Sequence, residues 1–141
     1  MRFIDGFYDT DTGISIVMLE HLGKKFAGQA YLHPDDEATA SEIVGCEYAE
    51  IRATMNALKY ERKLKKHDYK VIENFIKACN CYNNFNKESL SARVMYRQLN
   101  RKKKEINDLT KDIERFEGEL KELISRREKI MEKMKAKKEN K

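Results

Sequence analysis

An α+β fold is expected for this 141-residue chain: a small N-terminal antiparallel three-stranded sheet, followed by two long helices forming a coiled-coil hairpin. Three short apolar runs divided by turn residues fill the N-terminal quarter of the sequence. Most of the remaining chain carries apolar residues in alternating steps of four and three. The composition agrees, since hydrophobic residues make up 40% and charged residues 38%, with only one proline. That balance belongs to long solvated helices around a thin core. A chain of this length forms one domain, or a small domain with an elongated appendage.

The strands come first. RFIDGFY (2–8), ISIVML (14–19) and FAGQAYL (26–32) are rich in β-branched and aromatic residues, and DTDTG (9–13) and HLGKK (21–25) supply turn residues between them. Such spacing describes an antiparallel meander. Three strands are near the minimum for stability, so one face needs a cover from elsewhere in the chain. Gly6 and Gly28 fall inside strands, where a missing side chain marks a bulge, tight packing or the close approach of a backbone or ligand. HPDDE (33–37) ends the sheet, because Pro34 cannot continue a central ladder. His33, Asp35, Asp36 and Glu37 are metal-ligating types, but four neighbouring loop residues do not converge as a zinc site requires. They read instead as a turn feeding a helix, with Thr39-x-x-Glu42 at capping-box spacing.

The first helix is traced by Val44, Tyr48, Ile51, Met55 and Leu58, continued through Arg62 and Lys65 to Tyr69, Ile72, Ile76 and Cys79. Steps of four and three keep these positions on one stripe. No proline or glycine interrupts it after Gly45, so one helix of ~40 residues is expected, ~60 Å long. Asp68 offers the alternative, a cap for a second helix after a break at Lys66-His67. Asparagine-rich CNCYNNFN (79–86) forms the turn, since asparagine tolerates left-handed backbone, and Asn86 or Ser89 caps the last helix. That helix has the cleanest seam: Ala92, Met95, Leu99, Lys102, Ile106, Leu109, Ile113, Phe116, Leu120, Leu123, Arg127, Ile130 and Met134. Fifty residues extend ~75 Å, longer than the first helix. The overhang then needs a partner, and self-association through the C-terminal arm is the expectation.

Residues 101–141 hold 15 Lys/Arg against 10 Asp/Glu, so the net charge of +5 resides wholly in that arm. The mixed signs describe a solvated helix surface, not a nucleic-acid tract. Three cysteines, an odd number, make no disulfide framework, and Cys79-x-Cys81 lacks a zinc-knuckle partner. With no secretory segment and no apolar run of ~18 residues, a cytosolic protein is expected, without metal, cofactor or membrane. The division anticipated is a ligand-binding domain over 1–100 and a basic coiled-coil arm over 101–141.

The chain pivots on residues 79–101. Leu90 and Val94 lie off the Ala92/Met95/Leu99 seam, and their stripe continues into Arg97 and Arg101. An arginine bordering an apolar contact suits phosphate, which its planar fork meets with two aligned hydrogen bonds. Tyr82, Phe85 and Tyr96 offer rings for stacking on a base, and Asn80, Asn83 and Asn84 offer amides to read its edge. The competing reading is a solvated arginine face with turn aromatics sealing the helix ends. No Gly-rich phosphate loop, Gly-x-Ser-x-Gly elbow or paired Cys/His is present, and His21, His33 and His67 are scattered. A binding protein is expected, not an enzyme. Its alternative is a coiled-coil oligomerisation or adaptor protein whose basic arm touches nucleic acid.

The HPDDE turn, the segment ASEIVGCEYAEIRATMNALK opening the first helix, and the arginines of the last helix resemble the phage anti-Thoeris proteins. Those proteins act as sponges for cyclic ADP-ribose-type immune signals. The resemblance covers residues 1–101, and the C-terminal arm is longer than the family pattern. It implies an N-terminal sheet with long helices and assembly into dimers or higher oligomers. It also implies pockets shared between protomers that hold the signal intact, inside the cytoplasm of the infected bacterium. Cyclic oligonucleotides form a wider ligand class for such a protein. By this resemblance Arg97 and Arg101 clasp phosphates. Asn80 or Asn83, with Tyr82, Phe85 or Tyr69, hold the base or ribose.

Overall fold

The computed structural model describes residues 1–31, 42–80 and 89–139. The expected architecture is present: β1 (Arg2–Tyr8), β2 (Ile14–His21) and β3 (Lys24–Tyr31), then α1 (Glu42–Asn80) and α2 (Leu90–Glu139). The HPDDE turn, Thr39 and residues 81–88 of the inter-helix segment lie outside the described residues. α1 runs unbroken for 39 residues, so Asp68 sits within it and starts no second helix.

The sheet is an antiparallel meander in the order β1-β2-β3. Leu22 and Gly23 join β2 to β3, both at positive φ (54° and 74°). That combination lets a two-residue hairpin follow the right-handed twist of its strands. Between β1 and β2, the Gly13 amide donates to the Asp9 carbonyl at 2.8 Å and the Asp9 amide to the Ile14 carbonyl at 2.9 Å. The Asp9 carboxylate accepts the Asp11 amide at 2.9 Å. This bond, helped by the Thr12 hydroxyl, holds the carboxyl below its ordinary pKa. A register shift between Phe3 and Asp5 makes Ile4 a bulge.

Strand alternation puts Ser15, Val17 and Leu19 of β2 and Gly28 and Ala30 of β3 on one buried face. The cover is α1. Ala49, Ala53 and Ala57 recur every fourth residue along it, and each is fully buried. Gly28 explains why they are small. A methyl group there would lie 1.9 Å from the Ala49 carbonyl oxygen and 2.3 Å from the Ala53 nitrogen, so helix and strand backbones touch. Of the readings open for Gly28, backbone approach is the one realised. Gly6 differs: its nearest neighbours would sit at ordinary contact, 3.6–3.9 Å. α1 also reaches over β3 with polar side chains. Arg52 Nη1 donates to the Gln29 carbonyl at 2.7 Å and Asn56 Nδ2 to the Ala27 carbonyl at 3.0 Å. β3 is an end strand, and these bonds occupy carbonyls that otherwise invite edge-to-edge pairing.

The chain forms two compact units, Met1–Leu58 with Ile113–Lys141, and Lys59–Asp112. α1 and α2 contribute to both, packing against each other along their seams. In the first unit, Leu120, Leu123 and Ile124 of α2 pack on the cluster of Val17, Ala30, Tyr48 and Ala49. The Tyr48 hydroxyl, on a side chain 4% exposed, donates to the Leu123 carbonyl at 3.0 Å. Burial raises its pKa above the usual 10.0, opposed by the Arg127 charge. Tyr48→Phe keeps the ring and loses only this bond, so a stability loss of about 1 kcal/mol is expected. Urea unfolding should show a lower midpoint at unchanged slope.

Candidate functional site

The second unit carries the sequence-derived candidates. Its α2 segment begins at a serine cap: Ser89 Oγ accepts the Ala92 amide at 3.2 Å and the Ser89 carbonyl accepts the Arg93 amide at 3.0 Å. This cap supports a helix with no acidic residue in its first turn. Ala92 is buried, and Met95 and Leu99 are half-buried. Leu90 is 78% exposed, and Val94, Arg97 and Arg101 are also exposed. The two stripes of α2 are thus physically distinct, one spent on α1 and one facing outward.

The charged steps in the seam are resolved by ion pairs. Lys65 Nζ lies 3.0 Å from Glu105 Oε2, and Lys102 Nζ lies 3.7 Å from both Asp68 Oδ2 and Glu105 Oε2. Arg62 Nη1 donates to Thr110 Oγ1 at 3.4 Å. As the α1 residue number rises, its α2 partner number falls, so the helices run antiparallel here.

These pairs also orient the flanks. Asp68 precedes seam residue Tyr69, and Glu105 precedes seam residue Ile106. Each reaches the opposite helix, so the positions just before the seam share one side of the helix pair. Leu64, Val71 and Phe75 also precede seam residues on α1, and Val94 and Arg101 do so on α2. All five are exposed. Val94 and Arg101 of the outward stripe therefore share their side of the helix pair with α1, whose aromatic there is Phe75, 59% exposed. Sequence reading missed Phe75, Leu64 and Val71, although their one-before-seam spacing was visible. Antiparallel register, with Lys65 opposite Glu105 and Asp68 opposite Lys102, brings Phe75 level with Met95.

The other candidates distribute differently. Asn80 is the exposed last residue of α1. Tyr69 is half-buried in the seam, and Tyr96 comes directly after a seam residue, so it falls on the opposite flank. Tyr82, Asn83, Asn84 and Phe85 lie outside the described residues. Cys46 and Cys79 are half-buried. Among the described residues no three His, Cys, Asp or Glu side chains gather as a metal would need, and no helix is long and apolar enough to cross a membrane.

The Glu105 network has a pH signature. The Lys65 ammonium, followed in effect by the Lys102 and Arg101 charges, holds the Glu105 carboxyl below its usual 4.5, while Glu105 raises Lys65 above 10.5. A lowered acid contributes stability above its unfolded pKa and loses it as pH falls through the folded value. A raised base contributes below its unfolded pKa and loses it as pH rises through the folded value. Stability of the helix pair should therefore be flat between these limits and decline on both sides. Glu105→Gln should flatten this network's part of the acid decline in a series of melts from pH 2 to 7.

No family model, curated protein or solved structure matches this chain.

Proposed function

We propose that this protein binds and sequesters an anionic cyclic nucleotide signal of the cyclic ADP-ribose type, without cleaving it. It acts as a homo-oligomer in the cytoplasm of an infected bacterial host. The carrying observation is the exposed stripe of α2 on which Arg97 and Arg101, one turn apart, continue from exposed Leu90 and Val94. Exposed Phe75 of α1 is on the same side of the helix pair as Val94 and Arg101. Two guanidinium groups at that spacing offer paired donors to linked phosphates. An exposed ring on the same flank offers a face for a base. Capture requires affinity alone, and these groups supply it without a nucleophile or general base.

The flank is also a reason for assembly. Leu64, Val71, Phe75 and Val94 are large apolar side chains left to solvent on one side of the pair, the kind of surface that partners cover. A helix surface is convex, so enclosing a small ligand needs a second wall, which another protomer provides.

A thermal-shift panel of cyclic ADP-ribose isomers and cyclic di- and trinucleotides tests the reading, with subsequent heating to recover the ligand. A saturating stabilisation is expected from at least one member, with intact ligand released on heating. No shift with any of them overturns the function, and recovery of a cleaved product overturns the non-enzymatic part. Binding of duplex or single-stranded nucleic acid that collapses steeply with salt would favour the basic-arm adaptor instead.

A further inference from the structure

We propose that Glu105, held from across the helix pair by Lys65, is a positioning residue that aims the Arg101 guanidinium at the ligand phosphate. The inference rests on the function proposed above and deepens it, because it separates the two arginines by how they are prepared.

Arg101 Nε lies 3.5 Å from Glu105 Oε1, one helical turn away, while its side chain is 71% exposed. A guanidinium tethered through Nε still presents its two Nη groups, the edge that meets a phosphate with parallel hydrogen bonds. An isolated surface pair of this kind contributes little, because both side chains sample other rotamers. Here the carboxylate is not free to move. Its Oε2 is buried and sits 3.0 Å from Lys65 Nζ, and the Lys65 and Glu105 side chains are only 27% and 31% exposed. Lys102 adds a third cation at 3.7 Å. The carboxylate that pairs with Arg101 is thus anchored to α1, and Arg101 inherits that anchor. Among the described residues Arg97 has no corresponding ion pair. It meets the ligand as a flexible charge and serves as the internal control.

The coupling also limits charge competition. Glu105 faces Lys65, Lys102 and Arg101, so its negative charge is shared among three cations and leaves Arg101 with net attraction for an anion. The depressed carboxyl pKa keeps this arrangement intact at neutral pH.

The test is a set of mutant cycles read by calorimetric titration with cyclic ADP-ribose isomers on the full chain. Glu105→Gln should weaken binding by about fivefold to tenfold in the wild-type background, within the range expected for directly coupled residues. The same change should have no effect in an Arg101→Ala background and its full effect in an Arg97→Ala background. Equal loss in all three backgrounds means that Glu105 acts only through fold stability, and overturns the proposal. So does an unchanged affinity in the wild type. Lys65→Gln, which cuts the anchor and leaves the carboxylate, should reproduce the background dependence at smaller size, and decides the matter if Glu105→Gln does not fold. Absence of binding by the unsubstituted chain fails the function itself, a result read before any substitution is made.

Discussion

Gly28→Ala is expected to destabilise the first unit by about 4 kcal/mol or more, near the top of the range for single substitutions. The added methyl would meet the Ala49 carbonyl oxygen at 1.9 Å and the Ala53 nitrogen at 2.3 Å. Both are backbone atoms, so no side-chain rotation relieves the overlap and the helix itself must lift from the strand. Lifting stretches the Arg52 and Asn56 bonds to the carbonyls of Gln29 and Ala27. It also opens the packing of Leu19 against Ala53 and Ala57. Overpacking of a more compliant core costs only about 1–3 kcal/mol. A melting temperature lower by roughly 10 °C or more should result. Gly6→Ala is the control, because the space there is at ordinary contact distance. If both variants melt alike, the close approach of α1 to β3 is wrong.

Arg97→Ala combined with Arg101→Ala is expected to reduce ligand affinity by on the order of 10² to 10⁴. Hydrogen bonds to charged groups contribute roughly 1.5–3 kcal/mol each, and about 1.4 kcal/mol is a factor of ten in affinity. Both side chains are exposed and lie outside the seam formed by Ala92, Met95 and Leu99, so removing them takes nothing from the packing of α2. Circular dichroism and oligomeric state, measured by light scattering, should therefore match the parent chain. Loss of binding with retained helicity places the phosphate contact on this face. Loss of helicity would show that the arginines support the fold instead.

Much of this architecture was legible because local rules act on neighbouring residues. Turn residues at 9–13 and 21–25 divide the three strands, and the meander results. The steps of four and three from Val44 to Cys79 remain on a single face, and every one of those positions is buried or half-buried. The same holds for α2 from Ala92 to Arg127. Even the charged steps at Arg62, Lys65 and Lys102 stayed in register, because lysine and arginine stems pack while their charged ends find partners. The site was legible in part. Arg97 and Arg101 separate from the seam by spacing alone, but half of the exposed flank sits on the other helix, and nothing local connects Phe75 to the side of the pair that carries Arg101.

Periodicity states which side chains share a face; it does not state what that face will meet. Ala49, Ala53 and Ala57 carry little hydrophobic signal, yet they are the surface on which the sheet rests. Their value is the absence of bulk, which matters only once β3 arrives against them. The arm read from sequence as needing another chain places Leu120, Leu123 and Ile124 on a cluster built from β2, β3 and α1. Glu105 looked like one more solvated acid in a basic helix until Lys65 was set 3.0 Å from it. In each case the deciding quantity is a distance between residues far apart in the chain. The sheet, the two helices and the outward arginine stripe were settled by residue order and spacing. Which apolar face is covered, and which is left exposed, was settled only by packing.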